Sequence, residues 1–548
     1  MVIIFAVFLQ VHAIRLNEEI DVWFNHLSPK WNPLKFTKSQ KLFDCSLKFK
    51  DEFYTNSFEE DLEDFTFIDS GMEVNFKQSV RKKLFCRVSL DENRLDWLFN
   101  ALEDETILEV YIQGLVNWVP IGNFNKDNRT AEIFTHYKLK IFYTEEQIVF
   151  VKLTPSQPLP IKNLEILDFS YEVDWKVSNS SSEDQTSSLF NIVQDRLGNG
   201  YYYSLIWNIG LVSLVGFVVC VGIWLKVVND IKSDRKSGWL DLKDSVHKPP
   251  QYLTLFSSLV ATGLQFGSAL WSAILLNYLF EFFLVSGGTS ALFLYTYIGF
   301  GLLSGFVCGL ELYKYRGKAN PLFLALNSSL VNLILFCLFV LKSIANDHIM
   351  DFRSFLIVLA IFCLVYTPLF ILGYLSGKTF SKMKVIRYSE SIEGEELLEK
   401  RNQKPWVFIV CAWVWMNLLM APVLDSVVKA VTSFVRYSSY GFLFGSVVCQ
   451  VVAVGVNCAF TTFIALENEN RDWHWVSFLT GAGAGIGSFG YGVYVYFSKL
   501  DVSGAIENLY FFFYLGTCSF ILSLVFGAVG YISAGFMVKK IYSYSKKD

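Results

Sequence analysis

Charge is what this chain has least of. Only 18% of its 548 residues are Asp, Glu, Lys or Arg, where soluble domains carry about 25%. Histidine is sparse too. His12, His26, His136, His247, His348 and His474 are scattered, and none has a second ligand at metal-binding spacing. No basic face of the kind that binds nucleic acid stands out. No nucleophile, base and orienting group stand together, so the sequence points to no enzyme and to no cofactor. What fills the chain is apolar: 53% hydrophobic and 17% aromatic residues, with a mean hydropathy of +0.36. That composition excludes a disordered chain.

The apolar residues come in runs too long for a globular core. A bilayer core about 30 Å thick needs roughly 20 apolar residues of helix. Helices satisfy their backbone internally, which lipid demands. Nine such runs follow residue 200, near 203–225, 252–280, 290–312, 321–345, 354–376, 406–428, 440–466, 474–497 and 507–538. The sixth is the weakest, because it carries Asp425. An earlier run, Val2 to Ala13, is too short to span. It ends in Val11-His12-Ala13 and reads as a secretory signal over residues 1–13, although a basic leading segment is missing.

Loop charges set the orientation. Lys226, Lys232, Arg235, Lys236, Lys243 and Lys248 follow the first run, and Lys314, Arg316 and Lys318 follow the third. Lys378, Lys382, Lys384, Arg387, Lys400, Arg401 and Lys404 follow the fifth, and Lys539, Lys540, Lys546 and Lys547 the last. The intervening loops are poorer in Lys and Arg, and the seventh is nearly neutral. Odd-numbered loops and the tail are therefore expected to be cytoplasmic. Residues 14–200 are expected to be lumenal, and nine passes put the two ends on opposite sides.

Residues 14–200 hold 21 Lys+Arg against 31 Asp+Glu and are long enough for their own core. Phe169, Tyr171, Val173 and Trp175 alternate with polar residues, as strands do. Leu108, Val110 and Ile112 form a second alternating set, and Leu139, Ile141 and Tyr143 a third. A mostly β domain, read as a sandwich, is expected, with one helix near 91–104 and a Ser-rich linker at 178–188. Cys45 and Cys86 are the two cysteines here and are expected to pair in an oxidising compartment; the alternative is two buried thiols. Asn128-Arg129-Thr130 and Asn179-Ser180-Ser181 are glycosylation sequons on the lumenal side.

Two nucleotide-like patterns fail on context. Gly485-x-Gly487-x-x-Gly490 follows no strand, and Gly373 through Gly377-Lys378-Thr379 ends a membrane run. Glycine has another use in lipid. Gly301, Gly305 and Gly309 recur every four residues on one helix face, and small faces let helices approach closely. That face either packs the bundle or receives another protein's membrane helix. Ionisable residues in spans are functional candidates by default. Glu311 and Lys314 read as a snorkelling pair. Glu467, Asp472 and His474 read as a solvated loop beside an aromatic belt.

Several motifs resemble one family. Gly238-Trp239, the stretch Asp244 to Pro250, and Gly263-Leu264-Gln265 resemble its Gly-Trp, Gly-Asp-Val-Phe-Arg-Pro-Pro and Gly-x-Gln signature. Asp472-Trp473-His474-Trp475-Val476-Ser477-Phe478-Leu479 resembles its Asp-Tyr-x-Trp-Trp-Trp-x-Ser-Phe block. Thr135-His136-Tyr137, the segment Tyr111 to Gly122, and the β stretch ending at Trp175 resemble further landmarks. The family is the nonaspanins, the transmembrane nine superfamily. Asp244-Ser245 stands where Gly-Asp is usual, and an expected Ile-Pro-Arg and Leu-Pro-Phe-Gly are missing.

The resemblance implies a polytopic α-helical membrane protein with nine transmembrane helices and a mostly β lumenal N-terminal domain. It implies residence in Golgi and endosomal membranes and a part in sorting client membrane proteins. It also implies that Lys546 and Asp548, at the spacing Lys-x-Asp, engage a COPI-type coat. The rival class is a secondary transporter or channel for a small solute or metal ion. No internal repeat and no Met/Cys/His cluster speaks for it.

Overall fold

The computed structural model describes residues 19–29, 37–43, 68–112, 115–125, 129–143, 148–161, 165–177, 200–232, 237–242, 246, 248–280, 288–315, 362–385, 405–432, 436–499 and 505–544. They fall into two compact units, Met1–Arg196 with Phe497–Ser503, and Leu197–Tyr496 with Gly504–Asp548.

The first unit is mostly β. Its strands are β1 (Glu19–Ile20), β2 (Val22–Ser28), β3 (Thr37–Lys38), β4 (Ile68–Asp69), β5 (Val74–Asn75) and β6 (Val80–Ser89). After helix α1 (Glu92–Glu103) come β7 (Ile107–Ile112), β8 (Leu115–Pro120), β9 (Gly122–Asn125), β10 (Thr130–Tyr143), β11 (Ile148–Pro160) and β12 (Ile166–Val177). One sheet runs β11-β10-β12-β6 with β9 on β10; the other runs β3-β2-β7-β8 with β4 on β2. Both inner faces feed one core. Phe24, Leu27, Val110 and Ile112 from one sheet join Leu139, Ile141, Phe169, Tyr171 and Val173 from the other. The three alternating sets therefore form β7, β10 and β12. The helix expected near 91–104 forms too, because the Asp91 side chain accepts from the Arg94 amide at 3.1 Å and caps its first turn.

The second unit is helical: α2 (Gly200–Lys232), a single turn α3 (Gly238–Asp241), α4 (Leu253–Phe280), α5 (Gly288–Gly299) and α6 (Gly301–Lys314). A π turn, Phe362–Tyr366, leads into α7 (Thr367–Val385); α8 (Pro405–Thr432), α9 (Arg436–Glu467), α10 (Trp473–Lys499) and α11 (Ala505–Tyr544) follow. Among the described residues five spans are long and apolar enough to cross a membrane: Ile206–Lys232, Leu253–Leu276, Leu292–Lys314, Phe444–Glu467 and Asn508–Ser543. The third expected run is interrupted at Phe300, between Gly299 and Gly301, and forms α5 and α6. The sixth and eighth runs fall on helices α8 and α10; of the fifth, 354–376, the described part covers the π turn and the start of α7, and residues 354–361 lie outside the described residues. The fourth, 321–345, lies outside the described residues.

Contacts give the helix directions. α6 and α7 run parallel: Gly301 faces Tyr366, Gly305 faces Phe370 and Gly309 faces Tyr374. α8 and α10 also run parallel, with the Trp413 indole donating to Leu479 O and the Asn417 amide to Gly483 O. α10 and α11 are antiparallel, since Gly481 meets Phe526 and Gly492 meets Leu515. α4 is antiparallel to α11, through Phe256 on Tyr531 and Gly263 on Leu524. It is likewise antiparallel to α5–α6, through Ser257 with Cys308 and Gln265 with Tyr297. α2 runs parallel to α9, with Gly216 beside Val456 and Lys226 beside Glu467.

Candidate functional site: an aromatic and polar lock at one end of the bundle

The motif residues at 238–265 and at 472–479 are more than two hundred positions apart, yet they meet. Trp473 donates its indole N–H to Val246 O at 3.1 Å, and Trp475 donates to Gln251 O at 2.8 Å. The tryptophans of one block thus satisfy carbonyls of the turn that opens α4. The Val246 carbonyl would otherwise be orphaned, because Val246 is buried. Phe256, one turn inside α4, stacks edge-on against Trp475, Phe478 and Tyr531 at 5.1, 5.9 and 4.9 Å.

Gly238 and Trp239 form a second contact set. A Cβ at position 238 would overlap the carbonyl of Glu467, the last residue of α9, so only glycine lets α3 approach it. Trp239 is fully buried. Its indole donates to Asp230 Oδ2 at 3.1 Å, and its carbonyl accepts from the Tyr542 hydroxyl at 2.6 Å. Lys226 pairs with Glu467 at 2.9 Å. These bonds tie α2, α3, α9 and α11 together.

A buried polar chain runs beneath the aromatics. The Tyr531 hydroxyl donates to Glu311 Oε2 at 2.8 Å, and Lys314 lies 3.5 Å from the same carboxylate. His474 Nε2 and the Tyr315 hydroxyl share a 2.8 Å hydrogen bond. His474 stacks on Trp473 with ring centroids 4.0 Å apart. The Glu311–Lys314 pair therefore exists, but as part of a network with α11, since Glu311 is 9% exposed. The reading of His474 as a solvated loop residue is corrected: it is 0% exposed, because the α9–α10 turn folds it under Tyr315. Glu467 and His474 serve different partners and do not converge as an acid–base pair.

Gln265, from the Gly-x-Gln motif, works deeper in the bundle. It donates to Tyr297 O and accepts from the Tyr366 hydroxyl, each at 3.1 Å, and so joins α4, α5 and the π turn. The glycine stripe serves packing. Cβ atoms at Gly305 and Gly309 would overlap carbonyls of Phe370 and Tyr374 on α7, and Cβ atoms at Gly373 and Gly377 would overlap carbonyls of Leu302 and Phe306 on α6. Gly301, Gly305 and Gly309 thus face Tyr366 of the π turn and Phe370 and Tyr374 of α7. The rejected nucleotide patterns are likewise helix contacts, with Gly485 against Ser523 and Gly487 against Asn417.

The β unit has its own polar cluster at Thr135-His136-Tyr137. His136 is buried; its Nδ1 lies 2.9 Å from Ser170 Oγ and its Nε2 3.4 Å from Glu172. Lys138 donates to Glu172 at 2.9 Å. The Lys138 hydrogen bond, aided by His136, holds the Glu172 carboxyl below its ordinary pKa. Burial pushes the Tyr137 phenol up. Trp175 donates to Gln78 O at 2.9 Å, and the Tyr171 hydroxyl donates to Glu73 O at 3.1 Å.

Cys86 is buried and disulfide-bonded. Cys45, Asn128, Asn179, Lys546 and Asp548 lie outside the described residues. Asp230, Tyr315 and Tyr531 are not marked in the sequence. Asp230 follows the first apolar run, but nothing in the pattern marks the two tyrosines, whose partners are remote in sequence.

A mostly β unit followed by membrane-length helices defines a multi-pass membrane protein. The chain belongs to the Endomembrane protein 70 family, whose model matches residues 34–505, and so to the transmembrane nine superfamily. It is 22% identical to Transmembrane 9 superfamily member 3 of Arabidopsis thaliana, over 97% of this chain and 94% of that one. It is 22% identical to member 1 of Mus musculus over 88% and 85%, and 24% identical to member 4 of Homo sapiens over 72% and 63%. No solved structure matches.

Proposed function

We propose that this protein is a nine-pass sorting protein of Golgi and endosomal membranes. Residues 1–13 are a signal peptide, 14–200 a lumenal head, and 201–548 a nine-helix domain with a short cytoplasmic tail. The observation that carries the reading is the union, in one Endomembrane protein 70 chain, of a folded β head with helices whose directions alternate as nine passes require. The parallel directions of α6 and α7 support a pass between them, which this reading assigns to the run at 321–345. The basic loops support a cytoplasmic position for the aromatic and polar lock.

The role is recognition rather than catalysis. The bundle holds client membrane helices, the head contacts client ectodomains, and Lys546 with Asp548 recruits a COPI-type coat. Since α7 fills the Gly301/Gly305/Gly309 face, clients dock on an outward face. The head is stabilised by a Cys45–Cys86 disulfide and carries glycans on Asn128 and Asn179. Proximity labelling from the tail, compared with a Lys546→Ser variant, tests the reading. Wild-type protein labels coat subunits and client membrane proteins, and the variant loses the coat and leaves the Golgi. Equal coat labelling by both forms refutes the tail mechanism. Saturable solute uptake into liposomes bearing the pure protein would move the assignment to a transporter.

A further inference from the structure

A groove of about 400 Å³ lies between α2, α8 and α9. Val215 and Val219 of α2 form one wall, Ala412 and Trp415 of α8 a second, and Ala453 and Phe460 of α9 the third. Along α9 the lining runs from Ala453 to Ile464, about 16 Å at the helical rise of about 1.5 Å per residue. It therefore occupies the half of the bundle nearest the Lys226–Glu467 ion pair. The volume is within the range of about 300–1,000 Å³ usual for ligand sites.

Three features choose the occupant. First, shape: about 400 Å³ for the centres of water-sized spheres, spread over about 16 Å, is a strip roughly 5 Å wide, and the sphere radius of about 1.4 Å on each side makes the slot roughly 8 Å wide. That admits one extended hydrocarbon chain. An α-helix with its side chains is about 10–12 Å across and does not enter. Second, chemistry: the Asn457 amide donates to Ala412 O at 3.2 Å, and the Thr461 hydroxyl donates to Asn457 O at 2.7 Å. The polar side chains on the wall thus direct donors to protein backbone, and the remaining surface is apolar. Third, access: Trp415 at the mouth is 53% exposed, and Leu214 and Phe217 on α2 are exposed as well. In a membrane helix that surface meets lipid, so the groove opens sideways into the bilayer.

We infer that the groove between α2, α8 and α9 is a binding site for one acyl chain of a membrane phospholipid, entering from the leaflet at the Lys226–Glu467 end. The inference goes beyond the sorting role and does not depend on it. Cys411, Ala412 and Ala453 are the small residues of the lining, and their short side chains leave the space that the chain fills. The lipid wedges α2 against α8 and α9.

The test uses the full-length protein in vesicles of phosphatidylcholine doped with phosphatidylcholine carrying a photoreactive diazirine in mid-chain. Irradiation, digestion and mass spectrometry map the adducts. Adducts on 408–415 and 453–464 are expected to exceed, several-fold, those on the outward face around Phe536, which is 69% exposed. Ala453→Trp fills the groove from α9 and should abolish the excess while labelling near Phe536 persists. Val215→Phe narrows the groove from α2 and should reduce the excess in the same way; it carries the test if Ala453→Trp does not fold. Adducts spread evenly over all exposed faces overturn the proposal. So does an excess that survives in the folded variants. Doping with a photoreactive free fatty acid is the second arm: groove labelling by it, with none from phosphatidylcholine, overturns the assignment to a phospholipid.

Discussion

Replacing Gly305 by alanine adds one methyl group at the tightest point between α6 and α7. Its Cβ would overlap the carbonyl oxygen of Phe370 and sit 2.8 Å from the amide nitrogen of Tyr374. Both obstacles are backbone, so no side chain can swing away. Carbon–oxygen contacts settle at about 3.3–3.6 Å, so the helices must part by the order of 1 Å. That gap also opens the reciprocal contacts at Gly309, Gly373 and Gly377. A radial gap of about 0.5–1 Å forfeits a quarter to a half of each dispersion well, and overpacking of this kind costs about 1–3 kcal/mol. The gain in helix propensity from Gly to Ala, up to about 1 kcal/mol, works the other way. On α2, a methyl group added at Gly222 would meet nothing within 4 Å, so Gly222→Ala gains propensity without a clash. Thermal unfolding in detergent, read as the loss of the monodisperse peak in size-exclusion chromatography, separates the two. Gly305→Ala should lower the midpoint and Gly222→Ala should hold or raise it. Equal midpoints would refute the claim that the glycine stripe exists for close packing against α7.

Other consequences follow from the lock and the head. Trp473→Phe keeps an aromatic ring but leaves the buried Val246 carbonyl without its donor, and should cost about 1–3 kcal/mol; Trp473→Ala should cost about 3–5 kcal/mol. Both are read by the same unfolding assay. A double-mutant cycle of Tyr531→Phe and Glu311→Gln should give a coupling of about 1–3 kcal/mol, because a buried carboxylate loses a direct donor. A cycle pairing Tyr531→Phe with Arg87→Ala in the head should give none. Glu172 has a folded-state pKa below its unfolded value, held there first by Lys138 and then by His136. Its contribution is therefore present above the ordinary carboxylate range and is lost as pH falls through the folded value. Protection factors for hydrogen exchange in β10 and β12, corrected for the intrinsic slowing of amide exchange in acid, should fall as pH drops, and Lys138→Ala should flatten that response.

How far the sequence discloses this architecture depends on the range of the interaction. The runs that became α2, α4, α9 and α11 are visible because each has to be apolar along its own length. β12 is visible because Phe169, Tyr171 and Val173 alternate locally. The strands β3 and β4 have two residues each and carry no period to detect. β7 is buried on both faces, including Glu109 at 4% exposure, so its alternation shows which residues form a strand but not that both sides are covered. The motif blocks at 238–265 and 472–479 can be picked out, yet nothing in either spacing says that Trp473 and Trp475 will donate to Val246 and Gln251. That pairing is made by tertiary contact. His474 is the instructive failure: a histidine between tryptophans at a helix start resembles a solvated interface residue until Tyr315 is brought over it. The glycine stripe is legible as a face of small residues, but its partner on α7 is not, because the matching Gly373 and Gly377 lie more than sixty positions further along the chain.

The most direct test of the nine-pass account is the sidedness of the two chain ends. An epitope tag placed after Asp548 and a second placed within the head are probed with impermeant antibodies in cells whose plasma membrane alone is opened. The account predicts that the C-terminal tag is stained at once, while the head tag is stained only after the internal membranes are dissolved. Staining of both tags at the first step, or of neither, would contradict it.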